Sequence, residues 1–365
     1  MRLHLYFARK FALTLLAVTT LFALLLMLLD VVEQIRRFEI GEISLGQATK
    51  LAALNVPAAL YGILPLIVIL STLALFLGLA RTSELVVTRA SGRSALRALA
   101  APLTTAFAIG ALCVAVLNPI VAATLKEYER LSDEYRHGTR NNVLSISREG
   151  LWLRQGGPEG QMVIRAARAN LDGTRLSEVT FLAFGPKAGP VWRIEAREAE
   201  LTRGAWEITG AKRWDFAETN PEASATRHER LSLPSDLTRD RIRDSFGTPS
   251  AIPIWELPGF IGSLKRAGFS ARQHEVWFQM ELALPALFVA MMMIGAAFTM
   301  RHTRFGRTGT MVMGALLLGI ALYFLRNFAQ VLGENGQIPA GLAAWSPPVI
   351  GIMLAMGLIL HMEEG

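Results

Sequence analysis

"GLARTSELVVTRASGRSALRALAAP", residues 78–102, is a basic segment between two stretches that carry no charge. Glu84, Arg81, Arg89, Arg93 and Arg97 make it too polar to cross a membrane. Leu51–Ala80 before it and Ala98–Leu125 after it hold no Asp, Glu, Lys or Arg. Each run is about as long as a helix needs to cross a hydrocarbon core roughly 30 Å thick. Four further runs share this character: Phe11–Leu29, Leu282–Met300, Thr308–Leu325 and Asn335–Met362. The pattern predicts an α-helical membrane protein with six transmembrane helices. With 52% hydrophobic residues, the chain is also more apolar than a soluble chain of 365 residues requires.

The arginines set an expected orientation. Arg2, Arg9 and Lys10 precede the first run, the segment 81–97 follows the second, and Arg301, Arg304 and Arg307 follow the fourth. The alternate short loops hold Arg36, Arg37 and Lys50, diluted by Asp30, Glu33, Glu39 and Glu42, and then Glu334. The positive-inside rule places both termini in the cytoplasm and residues 126 to about 275 outside. Residues 126–281 hold 23 basic and 22 acidic residues, so most of the net charge of +7 lies in the cytoplasmic loops. The basic balance is thereby explained by topology and does not point to nucleic acid. Phe11–Leu29 has the charged front end of a secretory signal. It is longer than such a signal's apolar core, and no small-x-small site follows, so a retained anchor is expected. Residues 1–10, "MRLHLYFARK", read either as a short interfacial helix or as a charged flank. The single cysteine, Cys113, lies in the third run and is read as a packing residue; it permits no disulfide within the chain.

The external segment changes period. Val179, Phe181 and Ala183 share one face of "EVTFLAF", as do Trp192, Ile194 and Ala196 in "VWRIEARE". Trp206 and Ile208 alternate with Glu207, and "GGPEG", "LDGT", "GPKAGP" and "TRGA" punctuate the runs. Roughly six short strands are expected, in an all-β sandwich or jelly-roll-like domain. A helix from about Trp255 to Ala267 then returns the chain to the membrane. The expected domains are 1–125 (three spans and a helix at 82–94), 126–250 (the β domain) and 251–365 (the return helix and three spans).

The catalytic signatures sought are missing from the sequence. There is no G-x-x-x-x-G-K-[ST], H-E-x-x-H or G-x-S-x-G. The histidines show no metal-ligand spacing, and no cofactor is expected. Charged residues near the ends of spans carry more information. Arg326, Arg36 and Arg37 are all expected near the external surface. There a guanidinium either snorkels to headgroups or donates a planar pair of hydrogen bonds to the phosphate of an anionic amphiphile. In residues 82–94, Leu85, Val86 and Ala90 can share one helix face and Gly92 supplies a stop. That suits a short amphipathic helix docked on a partner, or else a topogenic basic loop.

The order of spans and strands resembles the LptF/LptG permeases of the lipopolysaccharide export ABC transporter. The local matches are "YGILP" (Tyr61–Pro65), "SELVVTRASGRS" (Ser83–Ser94), "WELPGFI" (Trp255–Ile261) and "AAWSPP" (Ala343–Pro348). The resemblance covers essentially the whole chain. It implies a non-catalytic subunit in the bacterial inner membrane, with a periplasmic jelly roll. It also implies an LptF–LptG heterodimer, an LptB ATPase dimer, and the periplasmic proteins LptC and LptA. The resemblance makes Ser83, Glu84, Arg89 and Gly92 part of the ATPase-coupling helix, with Glu84 and Arg89 meeting LptB. It makes Arg36, Arg37 and Arg326 candidate lipopolysaccharide contacts, with Arg36 and Arg37 matched by location. Phe181, Trp192 and Ile194 either line a slide for acyl chains or form ordinary strand core. A different class stays open: a scaffold subunit that transmits ATPase motion to a periplasmic partner without carrying lipid.

Overall fold

A computed structural model describes residues 2–38, 44–82, 84, 95–137, 145–147, 150–157, 160–170, 174–185, 189–217, 220–235, 237–238, 248–266, 270–300 and 308–364. Of the expected coupling helix it covers only Thr82 and Glu84. Ser83, Arg89 and Gly92 lie outside the described residues, as do Arg301, Arg304 and Arg307.

Helix α1 (Arg2–Arg37) runs unbroken for 36 residues, about 54 Å at 1.5 Å per residue. It contains neither glycine nor proline, so residues 2–10 continue into the first span as one helix. Helix α2 (Leu45–Arg81) starts on a capping box: Ser44 accepts from the Gln47 backbone, and Gln47 reaches back to the Ser44 N–H. Helix α3 (Ala95–Leu112) passes through a π-turn (Cys113–Leu117) into α4 (Asn118–His137). After the strands come α5 (Leu257–Arg266), α6 (Arg272–Thr299), α7 (Thr308–Glu334) and α8 (Ala340–Glu364). Among the described residues, six helical stretches are long and apolar enough to span a bilayer: Leu5–Arg37, Leu45–Arg81, Leu99–Ser132, Arg272–Thr299, Gly309–Glu334 and Ala340–His361. These match the six runs read from sequence.

The chain forms two compact units. One comprises Met1–Tyr135, Ser250–Trp255 and Arg272–Gly365; the other comprises Arg136–Pro249 and Glu256–Ala271. The expected boundaries at 125/126 and 250/251 differ from these because α4 continues past Leu125, and because α5 packs with the strands.

In the helical unit, α6 is central and packs against α2, α3, α7 and α8. Its Met291, Met292 and Met293 are all buried, so at this level the helix is covered on every side. In a bilayer, helices associate mainly by close packing rather than by burial from water, and small residues let backbones approach. Gly110 shows this at the α3–α6 crossing. A Cβ there would stand 2.7 Å from the Pro285 Cα. Gly295 does the same between α6 and α2, where a Cβ would stand 2.8 Å from Thr72 Cγ2. Helix α1 is different. It packs on α2 and α3, while Leu13, Leu16, Leu21, Leu24, Leu25, Leu28 and Leu29 stay exposed on this single chain.

The second unit is an antiparallel sheet, as the alternation predicts, with α5 packed on it. Strands β1 (Ser145–Ser147), β2 (Gly150–Gly157), β3 (Gly160–Ala169), β4 (Arg175–Phe184), β5 (Pro190–Thr202), β6 (Ala205–Asp215) and β7 (Thr226–Pro234) form one sheet in sequence order. The strand that alternation does not reveal is the three-residue β1. Register aligns Leu153, Ile164, Phe181 and Ile194 in one row across β2–β5. Leu151, Ala166, Val179 and Ala196 align in another. These residues are buried on one face, and Phe260, Ile261 and Leu264 of α5 pack into the same cluster. The opposite face carries cation–aromatic stacks: Arg165 lies over Trp152, and Arg193 and Lys212 lie over Trp214 while pairing with Glu195 and Glu222.

Candidate functional site

Three polar constellations occur in the helical unit, each built from residues distant in sequence. The first lies where the first turns of α1 meet the C-terminal end of α2. Lys10 Nζ is 3.0 Å from Glu84 Oε1 and 3.0 Å from the Tyr6 hydroxyl, and it sits over the Tyr6 ring. Thr82 caps α2, and its hydroxyl donates to the same Glu84 oxygen at 2.9 Å. Partial burial opposes ionisation of Glu84. The hydrogen bonds from Lys10 and Thr82 outweigh it, so the carboxyl titrates below its ordinary value. Of the four coupling residues read from sequence, Glu84 is the one described, and it is engaged here.

The second constellation is at the other end of α1. Arg36 is largely exposed and pairs with Glu33 at 2.8 Å, one turn away. Arg37, 44% exposed, approaches the same Glu33 at 3.9 Å and donates to the Tyr128 hydroxyl at 3.1 Å. Gln34, fully buried, donates to the same hydroxyl at 3.2 Å, and Asn55 donates to Asp30 at 2.9 Å. Leu26, Leu29, Asp30, Glu33, Val56 and Ala59 line a cavity of about 160 Å³ between α1 and α2. The two arginines that the sequence treats alike thus share Glu33 but differ in what else they touch: Arg36 is the more exposed, whereas Arg37 also braces α1 on α4.

The third is a polar seam inside the bundle. Glu281 on α6 is 2% exposed, and the Tyr61 hydroxyl of α2 donates to its Oε2. Asn118, the first residue after the π-turn, lies beside both and accepts the Ile254 backbone N–H at 2.9 Å. The Trp255 indole donates to Ala115 O, inside the π-turn where the regular ladder is interrupted. Arg326 on α7 lies within electrostatic reach of Glu281, and its one hydrogen bond among the described residues goes to Asn327 at 3.3 Å. Most of its five donors are therefore available for an anion.

Glu281 was not singled out from sequence, because it stands one residue before the uncharged run and reads as a flank. The usable signal is that the helix begins nine residues earlier, which puts Glu281 within the span, where an acid marks function by default. In the β unit, Phe181 and Ile194 are fully buried, with Phe181 edge-on to Trp206. Trp192 is partly exposed, and the Arg213 guanidinium lies 5.4 Å from its ring centroid. Among the described residues, no three His, Cys, Asp or Glu side chains gather in a metal-binding group.

A single family model matches almost the whole chain, across both helical segments and the sheet between them. The model of the lipopolysaccharide export system permeases LptF/LptG covers residues 5–361. The chain belongs to this family. Curated relatives carry the name lipopolysaccharide export system permease protein LptG. The protein from Haemophilus influenzae is 21% identical over 351 residues, covering 91% of each chain. That from Escherichia coli K12 is 25% identical over 340 residues, covering 88% of this chain and 86% of the relative. With six spans and this family membership, the chain is a multi-pass membrane protein.

Proposed function

We propose that this chain is the LptG-type half of an ABC transporter's membrane channel, paired with an LptF-type permease and driven by a dimer of the LptB ATPase. It extracts lipopolysaccharide from the inner membrane and delivers it toward LptC and LptA. The observation that carries this reading is the family match across both helical segments and the sheet between them. The termini and residues 82–94 then face the cytoplasm, and the β domain of residues 126–250 faces the periplasm.

A lipid with several acyl chains cannot leave the bilayer unaided, at about 0.8 kcal/mol per CH₂. An apolar cavity between two permeases replaces the membrane as solvent. Closure of the ATPase pair, felt through Ser83, Glu84, Arg89 and Gly92, narrows that cavity and drives the lipid outward. Arg36 and Arg326 are the proposed phosphate contacts, supported by the exposure of the first and the spare donors of the second. Arg37 supports the wall behind Arg36. Trp192, partly exposed, is the proposed first acyl contact of the sheet; Phe181 and Ile194 take part only when the sheet's covered face opens. The chain contributes binding and motion, and bond-breaking chemistry stays with the ATPase.

Photocrosslinking in membranes tests this, with a probe at Arg36, Arg326 and Phe181 in turn. The expected result is lipopolysaccharide adducts at the two arginine positions without ATP, and at Phe181 only with ATP. No adduct at any position, in a complex that hydrolyses ATP, would leave a scaffold subunit that transmits motion without carrying lipid.

A further inference from the structure

The clasp at the start of α1 joins residues 74 positions apart, so it is a tertiary device and not a local pairing. Lys10 and Glu84 side chains are 32% and 31% exposed, which leaves the pair reachable from one side only. Lys10 cannot easily swing away. Phe7 and Phe11 flank it and are 4% and 0% exposed, so the first turns of α1 are pinned into the bundle core. Two of the three ammonium donors are committed, one to Glu84 and one to the Tyr6 hydroxyl, and the Tyr6 ring lies 5.2 Å below the charge. On the far side Thr82 holds the same carboxylate oxygen from the cap of α2. A glutamate just past a helix end otherwise samples several rotamers; here its carboxylate is fixed from two helices.

We propose that Lys10, with Tyr6, is the positioning residue for Glu84. It fixes the carboxylate where residues 82–94 meet the ATPase, and it makes α1 as well as α2 a recipient of the ATPase's motion. This rests on the reading of Glu84 as an ATPase-coupling contact. Without the clasp, a stroke delivered at Glu84 would reach α1 only through its apolar packing on α2. With it, the stroke also enters a helix whose other end carries Arg36.

The test uses the assembled transporter, both permeases with the ATPase, in lipopolysaccharide-containing vesicles. The readout is lipid transferred per ATP hydrolysed, with the amount of ATPase subunit retained as a check on assembly. Lys10→Met is expected to lower the ratio about two- to fivefold with assembly unchanged, as fits a half-exposed ion pair. Lys10→Arg, which keeps a cation within reach, is expected to retain at least about half of it, a rescue that loss of packing alone would not give. Tyr6→Phe should lower it by a smaller factor, and it decides the matter if Lys10→Met does not assemble: an unchanged ratio then overturns the proposal. If Glu84→Gln lowers the ratio and Lys10→Met does not, Lys10 is not the positioning residue and the coupling role of Glu84 stands. If neither lowers it, the coupling role itself falls, and this inference with it.

Discussion

Tyr61 and Glu281 form a hydrogen bond where no water is available to replace a lost partner. Tyr61→Phe removes the donor and leaves a buried carboxyl short of one bond. The expected cost is about 1–3 kcal/mol, read as a lower melting midpoint of the purified complex, with Glu281→Gln less damaging because its shape and one acceptor oxygen remain. Glu84 behaves differently with pH. Its carboxyl titrates below its ordinary value in the folded chain, so the clasp's contribution is complete above the unfolded value of about 4. It is lost as pH falls through the depressed folded value. The stability difference between the wild type and Glu84→Gln should therefore be flat from about pH 8 to 6 and shrink only below about pH 4. Glu84 stood out in the sequence as an acid in a basic loop, and only the resemblance of Ser83–Ser94 made it a coupling residue. Lys10 was not legible as its partner, because only folding brings residues 74 apart together. Arg36, Arg37 and Arg326 were legible as three similar charges, while their distinct settings depend on Glu33, Tyr128 and Glu281, which sequence order does not reveal.

Among the elements, the spans were readable because a bilayer demands long uncharged runs, and β4 to β6 because a half-buried sheet imposes a period of two. What stayed hidden has local causes. Ser145–Ser147 is too short to show a period, the π-turn after Leu112 has no residue signature, and the packing of α5 on the strands depends on tertiary fit. The helix crossings divide just as clearly. Gly110→Ala would press a methyl into the Pro285 backbone, which cannot move aside, and should cost about 1–3 kcal/mol. Gly357→Ala on α8 meets nothing within 4 Å and should be neutral, or stabilising by up to about 1 kcal/mol through helix propensity. Thermal shifts of the two variants in the same detergent check the contrast.

For the molecule as a whole, the division into two compact units predicts that they melt as separate objects. Phe181→Ala empties a position at the centre of the sheet core, at about 3–5 kcal/mol. It should lower the sheet unit's transition while the helical unit still assembles with its partners, a split visible by hydrogen exchange measured segment by segment. The helical unit is itself uneven. Its inner helices are fastened at glycine crossings, whereas α1 has no glycine, presents leucines outward, and is fixed by the Lys10 clasp at one end and the Tyr128 brace near the other. Its uncharged stretch of Phe11–Leu29 is near the thickness of an ordinary bilayer, at about 1.5 Å per residue. In a thinner membrane such a helix relieves mismatch by tilting. Fastened at both ends, α1 can meet a thinner membrane only by tilting together with α2 and α4, so the mismatch is borne by the bundle and not by this helix alone.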